Sequence, residues 1–152
     1  DMHGSQGVFR KGWPYEESIR IPLLVHWPKK ILPGFRDKVL ISLVDIHRTT
    51  VALAGGKDRN RLDGVDFSSF LFSKNSQELM SKSVSLSMPS VPPYPPNCDK
   101  VWNGVRTPRY LVAWRENGEP WLVFDMEKDP LQRENLACDR ILVNELTSLI
   151  KT

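Results

Sequence analysis

The chain has 152 residues and a formal net charge of +3 at pH 7, with 40% hydrophobic and 26% charged residues. These values are typical of a globular protein, and the length suits one compact domain or two small ones that share a core. The basic residues are spread over short patches instead of one basic face, which argues against nucleic-acid binding. The longest apolar run, Ile21 to Trp27, contains Pro22 and is too short to span a bilayer, so we expect no membrane segment.

The first dozen residues differ in character from the segment that follows them. Gly4, Gly7 and Gly12 predict a loop whose backbone can approach another group closely. The next stretch, "SIRIPLLVHWP", has apolar residues on both faces, which predicts a buried strand of a covered sheet that ends at Pro28. We expect His26, inside this run, to be a core histidine and not a ligand.

The stretch "ISLVDIHRTTVALAGG" predicts a helix. Ser42 and Asp45 have the spacing of a capping box, and Gly55 with Gly56 supplies a C-terminal stop. Apolar or small residues recur at helical spacing and predict one buried stripe, formed by Leu43, Ile46, Thr50 and Leu53. A strand followed by a helix is the pattern of an α/β sheet.

After residue 70 the pattern changes to short alternating segments. "SVSLSM" predicts an exposed strand, whereas "PSVPPYPPNCD", with five prolines in eleven residues, predicts an extended loop. Two further strand segments, "VWNGVRTPRYLVAW" and "PWLVFDM", flank "RENGEP", where Asn117 and Gly118 are a strong hairpin-turn signal.

The last segment, "DRILVNELTSLIK", predicts a terminal helix. Asp139 is its expected N-cap, and its expected apolar stripe is Leu142, Leu146, Leu149 and Ile150. The predicted fold is therefore of the α/β class. It is the end of a covered mixed sheet, a strand plus a helix, followed by a small C-terminal antiparallel sheet with a packed terminal helix.

Two cysteines, Cys98 and Cys138, lie in unrelated contexts whose spacing does not suit a metal cluster. They are either two unpaired thiols or, in an oxidising compartment, a disulfide.

Four stretches stand out by their order and spacing: "GVFRKGWPYEESIRIPLLVHWP", "ISLVDIHRTTVALAG", "LDGVDFSSFL" and "GVRTPRYLVAWRENGEPWLVFDMEKDPLQRENLA". Together they resemble the sulfatase family of the alkaline-phosphatase-like superfamily, in its C-terminal portion only. The resemblance implies that residues 1–75 are the C-terminal end of the catalytic α/β domain. Residues 76–152 would form a small antiparallel-sheet subdomain with a C-terminal helix, and Asp1 would lie just after the family's Asp-His-Gly metal motif.

The resemblance also implies an activity, the hydrolysis of sulfate esters on a sulfated small molecule or carbohydrate. Sulfatases use a formylglycine made from the first residue of Cys/Ser-x-Pro-x-Arg, together with a divalent cation, usually Ca²⁺. Neither cysteine fits that motif, so the nucleophile and all metal ligands are expected upstream, in the N-terminal part of the same enzyme. These residues alone are then expected to be inactive.

Three residues are candidates for the site. The lysine that precedes the family's Gly-x-x-Tyr-Glu contacts the sulfate group, which implies a catalytic role for Lys11. A fixed cation stabilises the charge that builds on the sulfate oxygens, and a lysine is a compact charge on a flexible stem. His3 could reach the rim of the pocket, and Arg106 could face a sulfated sugar, so both are predicted to bind substrate.

Other polar and aromatic residues have simpler expected roles. Glu16 and Glu17 are expected to cap a helix or to form an internal ion pair with Arg20, and Asp45 is expected to be a cap. Three aromatic residues could stack on a sugar, although aromatic residues at strand spacing are more often core: Trp102, Trp114 and Trp121.

Two alternatives to a sulfatase remain open. One is a phosphate or phosphonate ester hydrolase of the same superfamily, and the other is a non-catalytic module derived from a sulfatase. The second requires that the chain closes its own sheet, whereas an exposed apolar face would predict poor solubility of residues 1–152 alone.

Overall fold

The computed structural model describes residues 1–31, 39–57, 63–72, 82–89 and 101–150. The chain divides into two compact units, of which the first joins Asp1–Leu23 to Ser85–Thr152 and the second is Leu24–Val84. The predicted boundary near residue 75 concerns the domains of a longer enzyme and stays a prediction.

The first unit contains a small hairpin and a four-stranded sheet. The hairpin pairs β1 (Met2–His3) with β2 (Phe9–Arg10), and the short helix α1 (Glu16–Ile19) follows it. The sheet has the order β3-β4-β5-β6, and β5 is antiparallel to both of its neighbours. Its strands are β3 (Val84–Met88), β4 (Trp102–Arg106), β5 (Tyr110–Arg115) and β6 (Pro120–Asp125). The prediction of a small antiparallel sheet in this part of the chain is confirmed.

Both faces of this sheet are covered, as the residues of β5 show. Leu111 and Ala113 pack with Phe124 in a cluster that Tyr15 and Ile19 adjoin. Val112, which points to the opposite face because side chains alternate along a strand, packs with residues of the terminal helix instead. The sheet therefore lies between the segment after the hairpin and the terminal helix.

Two glycines allow the tight geometry of this sheet. Gly118 has φ +81° in the turn between β5 and β6, where its N–H donates to the carbonyl of Arg115 at 2.9 Å. A Cβ at Gly104 would lie 2.7 Å from the carbonyl oxygen of Val112 on the neighbouring strand. The turn predicted at Asn117 and Gly118 is confirmed.

The terminal helix, labelled α4 here, spans Arg140–Ile150. Asp139 caps it as predicted, because its Oδ1 accepts the backbone N–H of Ile141 and of Leu142, each at 3.1 Å. The predicted apolar stripe needs one correction: Leu149 is 73% exposed, and Val143 is buried together with Leu146. The helix turns this pair towards the sheet, so the packed stripe is rotated from the one expected.

The second unit contains α2 (Leu43–Leu53) and α3 (Ser68–Phe72). The capping box of Ser42 and Asp45 is present as predicted. The predicted apolar stripe of α2 is wrong: Leu43 is 71% exposed, and the buried residues of the helix are Asp45 and Thr49. These two polar side chains face the segment before α3 because they accept its backbone N–H groups, as described below.

The buried strand predicted for "SIRIPLLVHWP", residues 18–28, is also wrong. No strand forms there, and Leu24 is 93% exposed and Ile21 57% exposed. His26, predicted in a core, is exposed as well. A strand needs the hydrogen-bonding groups of a neighbour, and no strand pairs with this segment within the described part of the chain.

Some predictions fall outside the described residues, namely those on Cys98 and on nearly all of the proline-rich stretch. Cys138 is exposed and has no disulfide. None of the described helices has the length and apolarity required to cross a membrane.

Candidate functional site

The hairpin that carries Lys11 has an unusual backbone. Gly4, Gly7 and Gly12 have φ of +107°, +71° and +93°, and the non-glycine residues Gln6 and Arg10 have φ of +55° and +68°. Residues with a side chain rarely adopt this left-handed region, and such strain is concentrated at functional sites of proteins. The glycine loop predicted from the sequence is therefore a tight, defined turn.

Lys11 directly follows β2, and its side chain is 80% exposed. Its ammonium lies 4.0 Å from Oδ1 of Asp1, whose side chain is 42% exposed. Exposed ion pairs contribute little free energy, so the ammonium can exchange this carboxylate for another anion. His3 is exposed on the same hairpin, opposite Phe9. The structure thus brings His3 and Lys11 into one element, and their roles stay predictions.

Aromatic side chains anchor the base of this hairpin. Met2 and Trp13 are buried against each other, and the indole of Trp13 lies 5.8 Å from that of Trp121. The indole N–H of Trp102 donates to the carbonyl of Gly12 at 2.7 Å, directly beside Lys11. Trp102 is 2% exposed, and the guanidinium of Arg115 lies over the ring of Trp121 at 4.9 Å. These tryptophans therefore act as packing residues.

Arg106 lies in an ion pair. Its Nε donates to Oε1 of Glu16 at 2.8 Å, and the two side chains are 14% and 18% exposed. Its Nη1 donates to the carbonyl of Thr107. Glu16 also pairs with Arg20 at 3.8 Å, which confirms the predicted internal pair and adds Arg106 as its nearer partner. Two donor nitrogens of Arg106 thus already form hydrogen bonds within the chain. The predicted contact between Arg106 and a substrate stays a prediction.

Two glutamines of this unit make contacts that no sequence pattern indicates. Nε2 of Gln6 donates to the carbonyl of Leu131 at 2.9 Å. Oε1 of Gln132 accepts the N–H of Glu16 at 2.7 Å, and Gln132 is only 4% exposed with φ +53°. A glutamine in a polar turn gives no signal of such a role, because its partners are more than 100 residues away in sequence.

Arg109 and Asp125 form a second ion pair of the sheet. Nη2 and Nε of Arg109 both donate to Oδ2 of Asp125, at 2.8 and 3.1 Å. Oδ1 accepts the N–H groups of Glu127 and Lys128 at 3.1 and 3.3 Å. The hydrogen bond from Arg109, against the opposing effect of burial, lowers the pKa of Asp125 and raises that of Arg109. The two backbone contacts close the turn after β6, and the ion pair ties that turn to Arg109, just before β5. This arrangement favours a structural role.

In the second unit, Asp45 has a similar structural role. Its carboxylate is 1% exposed, forms an ion pair with Lys82, and accepts the N–H of Ser42 at 2.8 Å and of Val65 at 2.7 Å. Burial on its own would raise the pKa of Asp45, but these hydrogen bonds outweigh it and lower the pKa. Thr49 adds a hydrogen bond from the N–H of Phe67 at 3.1 Å. Asp45 is thus the predicted cap and also fixes the segment before α3.

No group of three or more His, Cys, Asp or Glu side chains lies together in the described ranges in a way that could hold a metal ion. The described residues do not fit the cation that the family resemblance implies. What they offer chemically is the exposed ammonium of Lys11 beside a tight turn of defined backbone.

Comparisons with known proteins agree with this description. The family model described as N-sulphoglucosamine sulphohydrolase, C-terminal, matches residues 4–151. Arylsulfatase A of Homo sapiens is 32% identical in an alignment that covers 88% of this chain and 29% of that protein.

Two solved structures share the fold. A putative sulfatase from Bacteroides fragilis gives a TM-score of 0.70 at 25% identity, over 90% of this chain and 29% of that one. A protein in complex with its substrate, D-glucosamine-2-N,6-O-disulfate, gives a TM-score of 0.74 at 24% identity, over 97% of this chain and 31% of that one. The chain spans less than a third of the length of these relatives. It belongs to the family N-sulphoglucosamine sulphohydrolase, C-terminal, and is a C-terminal sulfatase portion.

Proposed function

We propose that this chain is part of an enzyme that hydrolyses sulfate esters, and that it contributes Lys11 to the site. The observation that carries the proposal is the family match over residues 4–151, which includes Lys11 and the residues of positive φ around it. An exposed ammonium on a backbone fixed by positive φ angles is suited to meet an anionic group.

Lys11 would act on the charge that develops during the reaction. As the bond from sulfur to the ester oxygen breaks, negative charge grows on the bridging and peripheral oxygens. A cation held in place before the reaction stabilises this charge without reorganisation, and removing one such group lowers kcat by about 10²–10³-fold. His3, on the same hairpin, would contact the substrate at the rim of the site, and Arg106 would add positive charge near a sulfated sugar.

The nucleophile and the ligands of the cation would be residues that precede this chain in the full-length enzyme. A formylglycine would be the nucleophile and Ca²⁺, or another divalent cation, would bind its own ligands there. The described residues hold no cluster for such an ion. The 152 residues alone are accordingly expected to release no sulfate.

A sulfated carbohydrate is the substrate class that we favour. A structure with the same fold contains its substrate, D-glucosamine-2-N,6-O-disulfate, which is a sulfated sugar. Arylsulfatase A, at 32% identity, makes an aryl sulfate the second choice.

The test is an assay of the full-length protein that contains this chain, with a sulfated glucosamine, an aryl sulfate and the matching phosphate ester. We expect sulfate release, and a kcat about 10²–10³-fold lower in Lys11→Ala. Lys128→Ala removes another exposed lysine, from the turn after β6, and should leave kcat unchanged. Phosphate release without sulfate release would instead identify a phosphate ester hydrolase, and no release of either would favour the non-catalytic module.

A further inference from the structure

Three hydrogen bonds tie the segment around Lys11 to distant parts of the first unit. At the tip of the hairpin, Gln6 donates to the carbonyl of Leu131 at 2.9 Å. Beside Lys11, the carbonyl of Gly12 accepts the indole N–H of Trp102 at 2.7 Å. After the hairpin, the N–H of Glu16 donates to Gln132 at 2.7 Å. Lys11 thus lies between fixed points on both sides in the sequence.

The two turns that meet here are both strained. Gln6 and Gln132 have φ of +55° and +53°, and they are two of the four non-glycine residues with positive φ in the described part of the chain. Each such residue costs about 1–3 kcal/mol and persists only where its surroundings determine it. The contact between Gln6 and Leu131 joins one strained turn to the other.

Gln132 uses its side chain in one way only. Its Oε1 accepts the N–H of Glu16, whereas its Nε2 is buried and has no hydrogen-bond partner. Gln132 is 4% exposed, so water does not readily replace this hydrogen bond. The acceptor oxygen is therefore the atom that matters for this link, and the amide N–H₂ is dispensable.

We propose that Gln132, supported by the indole N–H of Trp102, is a positioning residue that holds Lys11 where it meets the sulfate group. This inference rests on the proposed function. Gln132 does not touch the substrate; it fixes the start of α1, and Trp102 fixes Gly12, so that the ammonium of Lys11 has one main location. A displacement of about 1 Å of such a group can lower a rate about 10²-fold.

The test uses the full-length protein and three variants of Gln132 and Trp102. Gln132→Met keeps the length of the side chain and removes the acceptor, whereas Gln132→Glu keeps an acceptor oxygen. Trp102→Phe keeps an aromatic ring and removes the donor to Gly12. We expect kcat to fall about 10-fold to 100-fold in Gln132→Met and in Trp102→Phe, with KM changed less, and to recover most of its value in Gln132→Glu.

A double-mutant cycle separates positioning from general damage. If Gln132 acts through Lys11, Gln132→Met should have little further effect on kcat in the Lys11→Ala background. An equal loss of kcat in both backgrounds would overturn the proposal, as would a normal kcat in Gln132→Met. Trp102→Phe in the same cycle replaces Gln132→Met if that variant does not fold.

Hydrogen exchange tests the link without any activity. Amides of residues 4–12 should exchange faster in Gln132→Met, while those of β5 and β6 keep their protection. Unchanged exchange over residues 4–12 would overturn the proposal whatever the activity. Faster exchange in a protein that hydrolyses no sulfate ester would remove the proposed function and leave the mechanical link in place.

Discussion

Leu111 and Leu24 are the same residue type in similar apolar sequences, yet one is 0% exposed and the other 93%. Leu111 lies in β5, which has β4 and β6 on its two sides and packed clusters on its two faces. Residues 20–27 have no paired strand within the described ranges. Apolar residues in a run show that a segment tends to be buried; they do not show which part of a protein buries it.

The largest expected difference in stability is between leucine-to-alanine substitutions at these two positions. Leu111→Ala should lower the free energy of unfolding by about 2–5 kcal/mol, because it leaves a cavity in a closed cluster. Leu24→Ala should change it by about 0.5 kcal/mol or less. Urea denaturation of the 152-residue chain measures both values.

The same two substitutions, made in the full-length protein, show whether another part of that protein buries Leu24. If another part of that protein covers residues 20–27, Leu24→Ala should there cost about as much as Leu111→Ala. Equal and small effects of Leu24→Ala in both proteins would show that the segment stays exposed.

The second prediction concerns Asp45, the buried carboxylate of the other unit. Asp45→Asn should cost about 1.5–3 kcal/mol at pH 7, since hydrogen bonds to a charged group are lost. The pKa of Asp45 is lowered in the folded protein, so its contribution is complete above the unfolded pKa of about 3.9 and is lost as the pH falls through the folded pKa. The difference in unfolding free energy between wild type and Asp45→Asn should therefore shrink as the pH drops below about 4.

Denaturation curves between pH 7 and pH 3 provide this measurement. Asp63→Asn, at an exposed aspartate of the same unit, is the matched control and should change stability by about 0.5 kcal/mol or less at every pH. A difference for Asp45→Asn that stays constant with pH would contradict the assignment.

The smallest effect on stability is expected at the N-cap of α4, the helix that packs on the sheet containing Leu111. Asp139→Ala removes the acceptor of two backbone N–H groups and should cost about 1 kcal/mol, whereas Asp139→Asn should cost only a few tenths. Urea denaturation distinguishes the two. Equal losses in both variants would indicate that the charge of Asp139, and not its hydrogen bonds, supports the helix.

The sheet and its helix were predictable because their signals are local. Asn117 and Gly118 define a hairpin whose two strands are neighbours in sequence, and Asp139 caps the helix that begins beside it. The buried face of α2 was not predictable from apolar spacing. Asp45 can be buried there because the N–H of Val65 and the ammonium of Lys82, both distant in sequence, bind its carboxylate.

In the candidate site, too, only the features with a local sequence signal were predictable. Lys11 could be proposed from its motif, and the glycines around it could be assigned to a tight turn. The supports of that turn could not, since Gln132 and Trp102 read as an ordinary polar turn residue and an ordinary core residue. Their contacts depend on how the sheet approaches the hairpin, which no local pattern encodes.

The long sequence separation of these supports has a consequence for synthesis on the ribosome. Glu16 and Gln132, which hydrogen-bond to each other, are 116 residues apart. At a translation rate of about 5–20 residues per second, the lysine hairpin emerges roughly 6–25 s before its last support exists. A nascent chain in that interval carries Lys11 on a segment that lacks its hydrogen bond to Gln132, so a message cut short before the codon for Gln132 would yield a polypeptide with the lysine but without this support.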